Sequence, residues 1–167
     1  MILVGLPGSG KTTIGQAVAE RLGRTFLDLD QEIERREGKS IGQIFGEKGE
    51  LYFREKEHEL SAELKLVGNM VIAPGGGWVA DPRNISLVRP PSRLIYLRVS
   101  PETALKRLGP LRMMRPLLTR PDPLGELKRL LAERKAAYEA ADHMVDTELF
   151  ALQRVIESVT ELAPGVR

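Results

Sequence analysis

Residues 5 to 12 read Gly5-Leu6-Pro7-Gly8-Ser9-Gly10-Lys11-Thr12, a complete G-x-x-x-x-G-K-[ST] run lying directly behind the apolar stretch Met1-Ile2-Leu3-Val4. The chemistry this spacing serves is the binding of a nucleoside triphosphate. Glycines let the backbone curl so that successive N–H groups point at phosphate oxygens, Lys11 reaches the β and γ oxygens, and the Thr12 hydroxyl is offered to Mg²⁺. The strand before the loop and the helical spacing of Ile14, Val18, Ala19 and Leu22 after it would rest the phosphates on a helix N-terminus, with Gly23 as the stop.

Phosphoryl transfer also needs charge neutralisation and an acceptor held in line, so a carboxylate is expected at the tip of a neighbouring strand. Phe26-Leu27-Asp28-Leu29-Asp30 supplies two. If the backbone stays extended, Asp28 and Asp30 face the same side, one ordering Mg²⁺ or its waters and the other accepting a proton from a substrate hydroxyl. The alternative for Asp30 is a helix cap. The third strand, Met70 to Ala73, ends in Pro74-Gly75-Gly76-Gly77 rather than in the acid of GTPases and motor ATPases, which favours small-molecule kinases. Three glycines in a row allow close backbone approach to a ligand, or simply make a tight turn. Arg54 and Arg134 carry planar forks suited to a carboxylate, although spacing alone does not bring them together.

The elements that must position these residues alternate along the chain. Strands are expected near 1–4, 24–28, 70–73, 93–99 and 143–146. Helices are expected at 11–22, about 30–37, about 48–67, 82–88, 101–108, 124–141 and 148–162. That order describes a three-layer α/β/α fold with a central five-stranded parallel sheet of the P-loop kinase type. One domain, 1–167, accounts for the length, with a substrate-binding insert at about 31–60. Residues 109–123, with Pro110, Pro116, Pro121 and Pro123 and several arginines, read as a mobile lid over phosphates or as a surface loop that binds nothing. His58 is expected on a helix surface and His143 at the entry to the last strand.

Composition narrows the function classes. Twenty-five basic and 23 acidic residues nearly balance, and the basic patch from Arg107 to Arg120 lacks aromatic residues that would stack bases, so nucleic acid is not the expected partner. No cysteine is present, which excludes thiolate metal sites and fits a reducing compartment. Without an apolar run of membrane-spanning length, a cytoplasmic protein with no membrane partner is expected.

Taken in order, these motifs resemble the shikimate kinase family: the P-loop, Asp28-Leu29-Asp30, Gly38-Lys39-Ser40-Ile41 through Ile44-Phe45, Gly49-Glu50 to Phe53-Arg54, the triple glycine, Arg115-Pro116-Leu117-Leu118, and Arg134 four residues before Tyr138. The resemblance implies transfer of the ATP γ-phosphate to the 3-hydroxyl of shikimate, a step of aromatic amino acid biosynthesis, by a monomer using Mg²⁺. It implies ATP contacts from Gly8, Ser9, Gly10, Lys11, Thr12, Thr13, Arg107 and Arg115, with Lys11, Asp30 and Arg115 catalytic. Thr12 would bind Mg²⁺ directly and Asp28 through water. Asp30, Arg54, Gly76, Gly77 and Arg134 would hold the acceptor. A kinase for another polyol acid such as gluconate, or a non-catalytic nucleotide-binding module, are the competing readings.

Overall fold

Five strands, β1 (Ile2–Val4), β2 (Thr25–Asp28), β3 (Met70–Ala73), β4 (Leu94–Arg98) and β5 (His143–Asp146), form one sheet in the order β2-β3-β1-β4-β5. Every pairing is parallel in this computed structural model, which describes residues 1–165; the last two residues of the expected domain lie outside the described ones. The helices are α1 (Lys11–Leu22), α2 (Leu29–Glu37), α3 (Ile41–Leu64), α4 (Pro82–Val88), α5 (Pro101–Leu108), α6 (Pro123–Glu139) and α7 (Leu152–Glu161).

The period-2 alternation of β1 divides the core. Ile2 and Val4 join Ile72, Leu94 and Tyr96 on one face, under Leu127, Leu130 and Tyr138 of α6. Leu3 joins Val71, Ile95 and Leu97 on the other, under Ile14 and Val18 of α1 and Val155, Ile156 and Val159 of α7. The three inner strands β3, β1 and β4, covered on both faces, read as nearly unbroken apolar runs, whereas the edge strands β2 and β5 are mixed stretches only partly buried. β1 is central, and the chain order reverses beside it, so the loop leaving β1 opens at the switch point where such sheets bind ligands.

Three expectations need correction. Helix α3 begins at Ile41, not near 48, because Ser40 and Gln43 form a reciprocal capping box; Gly49 (φ 83°, ψ 167°) kinks it between the two parts. The last helix starts at Leu152, because Asp146 Oδ1 accepts from the N–H groups of Glu148 and Leu149 and holds 146–149 in a turn. The 109–123 segment is partly ordered: 3₁₀ turns span Gly109–Met114 and Pro116–Leu118, and Leu118 is buried in the core.

Candidate active site

The P-loop leaves β1 with Gly8 at φ 84° and Gly10 at φ 91°, conformations that side chains other than glycine's rarely adopt. A Cβ on Gly8 would also sit 2.5 Å from the Ala104 carbonyl oxygen of α5, so glycine is required there twice over. Gly10 is the N-cap of α1, and Lys11 is its first residue. The Lys11 ammonium is buried and donates to the carbonyl oxygens of Gly5 (2.8 Å) and Leu6 (2.9 Å). Burial, seconded by the charge of Arg115, lowers its pKa to about 7.

β2 ends beside this loop. The expected extended run through Asp30 does not occur: Asp28 closes the strand and caps α2 by accepting from Gln31 N (3.2 Å), and Asp30 lies in the first helical turn. Both acids nonetheless line the same cleft as the P-loop. Asp28 Oδ2 accepts from Thr12 Oγ1 at 2.7 Å, joining the two residues expected to serve a metal. The donors are hard oxygens, and among the described residues no cluster of three or more metal-ligating side chains exists. Such a set suits Mg²⁺, which takes few protein ligands and completes its shell with water and phosphate.

Two cavities meet at this point. One, of about 450 Å³, runs from Gly8, Ser9, Gly10, Lys11, Thr12 and Thr13 past Arg107 to Phe150. The other, of about 430 Å³, contains Arg54, Gly76, Gly77 and Arg134. Asp28, Asp30, Thr12 and Arg115 border both. The Pro74–Gly77 segment is packed so tightly against the second cavity that a side chain on any of its glycines would displace a neighbour. A Cβ on Gly75 would lie 2.7 Å from Asp30 Oδ1, one on Gly76 would lie 2.9 Å from Pro7 Cδ and 3.4 Å from Arg134 Nη1, and one on Gly77 would lie 2.6 Å from Arg54 Cζ. Tyr138 Oη donates to Gly76 O at 2.8 Å while its ring stacks on Tyr96, fixing the loop to α6 and the sheet. The two arginines that spacing could not unite are thus brought to one loop, Arg134 with only 7% of its surface exposed.

The sequence reading missed Glu57. It is fully buried, accepts from Arg54 Nη1 at 2.6 Å, and leaves Oε1 without a partner, as Asp30 leaves Oδ1. Both free oxygens face the point where Gly75 lacks a side chain. Burial, reinforced by the charge of Asp30 and opposed by Arg54, raises Glu57 to about 7; burial likewise raises Asp30. Glu57 is anchored through its own carbonyl, which accepts from Ser61 Oγ (2.7 Å), itself the acceptor for Trp78 Nε1 (2.8 Å). An i, i+3 Arg–Glu pair in a charged helix looks like a surface pair, so sequence carries no sign of its burial. His58 is half-buried and meets Asn84 Oδ1 at 3.0 Å, holding α3 to α4 rather than facing solvent as expected.

A P-loop at the tip of a central strand, an acid pair beside it and a second cavity floored by glycines and arginines define a P-loop kinase of small molecules. The chain belongs to the shikimate kinase family, which it matches over residues 7–163. It is 40% identical over 159 residues to the shikimate kinase of Pelotomaculum thermopropionicum, covering 95% of this chain and 92% of that one. The shikimate kinase of Symbiobacterium thermophilum is 42% identical over 163 residues, covering 96% and 94%. Among solved structures, shikimate kinase from Acinetobacter baumannii in complex with shikimate superposes with a TM-score of 0.91 at 36% identity, covering 96% of this chain and 90% of that one. A gluconokinase from Sinorhizobium meliloti, at 18% identity and a TM-score of 0.59, shares the fold alone.

Proposed function

We infer that this chain transfers the γ-phosphoryl group of ATP to the 3-hydroxyl of shikimate, giving shikimate 3-phosphate and ADP. Family membership supports the reaction, and one geometric observation supports the assignment of roles: Asp30 and Arg115 stand where the P-loop cavity opens into the arginine-lined one. A phosphoryl group crossing that boundary passes from donor to acceptor with an acid and a guanidinium at its side.

In this reading the acceptor carboxylate is gripped by Arg54 and Arg134, which share the glycine loop, and its hydroxyls meet Asp30 and the N–H groups at Gly76 and Gly77. Glu57 aims Arg54 by holding Nη1. Lys11, at the N-terminus of α1, and Arg115 stabilise charge on the transferring group, while Asp30 accepts the hydroxyl proton. Thr12 would hold Mg²⁺ directly and Asp28 through water, and the ion would supply neutralisation of phosphate charge. Gly8, Ser9, Gly10 and Thr13 contribute the remaining phosphate contacts, and Arg107, tied to Thr147, flanks the base. Among the described residues no helix is long and apolar enough to cross a membrane.

ADP release by purified protein with Mg-ATP tests the reading, with shikimate, with gluconate and with no acceptor. Shikimate-dependent turnover is the expected result. Turnover with gluconate alone would keep the nucleotide site and overturn the acceptor.

A further inference from the structure

Beyond the P-loop the nucleotide cleft continues toward the β5 edge of the sheet, and its character changes. The residues there are Arg107, Leu108, Leu111, Thr147, Phe150 and Leu152. Leu111, Phe150 and Leu152 are large apolar side chains left 61%, 54% and 53% exposed. Exposed apolar side chains at the mouth of a phosphate site suit the face of a nucleobase, which would cover them on binding.

The polar side chains around it are engaged with one another or with nearby backbone. Arg107 commits Nη1 to Thr147 Oγ1 (2.8 Å) and Nη2 to Thr147 O (2.7 Å). Thr147 Oγ1 in turn donates to Arg98 O at 3.0 Å, and the Thr147 N–H donates to the same oxygen. The Glu148 carboxylate is drawn to Ser100, whose N–H and hydroxyl both donate to it, at 2.6 and 2.8 Å. Asp146 Oδ1 occupies the N–H groups of Glu148 and Leu149, and the Ala151 carbonyl accepts from Arg154 and Val155 at the start of α7. Adenine and guanine share a stacking face and differ at the hydrogen-bonding edge, so discrimination between them requires edge partners.

We propose that this chain accepts purine nucleoside triphosphates other than ATP as phosphoryl donors, GTP included, because its base site is an apolar stacking platform centred on Phe150 whose side-chain polar groups are already spent on one another. The inference rests on the kinase reading above. With GTP the bond between the β–γ bridging oxygen and the γ-phosphorus breaks, and one from the acceptor hydroxyl oxygen to that phosphorus forms. The hydroxyl proton passes to Asp30 or solvent, and GDP leaves. The base takes no part in this balance, so only binding limits the choice of donor.

The test compares kcat/KM for ATP, GTP and ITP with the full-length chain, Mg²⁺ and saturating shikimate, following nucleoside diphosphate by chromatography. Values for GTP and ITP within about tenfold of ATP are expected, whereas a site that hydrogen-bonds the base edge separates such substrates by about 10⁴. A preference for ATP larger than tenfold overturns the proposal. Phe150→Ala, at a half-exposed position, should raise KM for ATP and GTP by a common factor of about five or more; a rise for ATP alone, or none for either, also overturns it. If ATP itself supports no turnover, the kinase reading fails instead, and displacement of a fluorescent ATP analogue by ATP and by GTP at similar concentrations, or by ATP only, decides the base question independently.

Discussion

Arg115 donates from Nη1 to Asp30 Oδ2 at 3.2 Å, although 85 residues separate the two in sequence. The pair joins the segment between α5 and α6 to the first turn of α2, at the boundary of the two cavities. The contact sets the guanidinium of the 109–123 segment against the Asp30 carboxylate. In the proposed reaction a triphosphate offers Arg115 more charge than Asp30 does, so its binding would draw the guanidinium to the phosphates and free Asp30 Oδ2 for a hydroxyl.

Arg115→Ala is therefore expected to lower kcat by about 10³, the scale for an arginine that stabilises a transferring phosphoryl group, with a much smaller effect on KM for shikimate. Arg115→Lys should recover only part of the loss, since an ammonium cannot span two oxygens as a guanidinium does. Steady-state kinetics decides the matter. A kcat within a few-fold of the parent would remove Arg115 from the chemistry.

Asp30→Asn should lower kcat by about 10², in the range for a general base, and leave Mg-ATP affinity nearly unchanged. Titration of nucleotide binding beside turnover separates the roles. A large loss of Mg-ATP affinity would make Asp30 a metal ligand and not a base.

The sheet and the P-loop were legible in the sequence because buried parallel strands and phosphate loops carry local patterns: apolar runs, glycines at fixed offsets, a lysine. Asp28 and Asp30 were found for a partly wrong reason. An extended strand was expected to put them on one side, whereas a helical start does so, with Asp28 as its cap. What joins Arg54 to Arg134 and buries Glu57 is tertiary. Gly75, Gly76 and Gly77 allow α3 and α6 to approach one loop within contact distance, and no spacing in the chain encodes that meeting. Likewise Ser40 and Gln43 are an ordinary capping pair, overlooked because the glycines at 42, 46 and 49 obscure the helical signal.

Arg134→Ala should raise KM for shikimate by about 10- to 100-fold, the cost of one lost charge-assisted contact, while leaving ATP binding nearly intact. Arg134 packs beside Tyr138 and Gly76, so circular dichroism and ATP affinity of the same variant report whether the fold has been kept. Unchanged acceptor affinity in a folded variant would sink the carboxylate assignment.

Burial and the charge of Arg115 lower Lys11 to about 7 against the opposing pull of Asp30 and Asp28, while its ammonium donates to two carbonyl oxygens. At pH 8 most molecules therefore carry it neutral. A triphosphate favours the ammonium and raises the pKa, so nucleotide binding at pH 8 should take up a fraction of a proton approaching one. Binding enthalpies measured in buffers of different ionisation enthalpy give that number directly. Uptake should shrink toward pH 6, where Lys11 is already charged, and disappear in Lys11→Met. Zero uptake or proton release at pH 8 would contradict the assigned environment.

Glu57 has the opposite sign of cost. Its folded pKa of about 7 lies above the ordinary 4.5, so between those values the native chain keeps a proton that the unfolded chain has lost. Stability contributed by this residue falls as pH rises through that window, and above pH 7 the full penalty is present, about 3 kcal/mol at most. Glu57→Gln keeps an acceptor for Arg54 Nη1 without a charge to bury. Urea unfolding should find it more stable than the parent at pH 8, with the advantage mostly gone at pH 5. Equal gains at both pH values, or a loss at pH 8, would refute the titration. The same variant should raise KM for shikimate, because a neutral amide holds the Arg54 guanidinium less firmly than a carboxylate. Gained stability alongside weaker acceptor binding would mean that the buried charge is kept for aiming Arg54 and not for holding the fold.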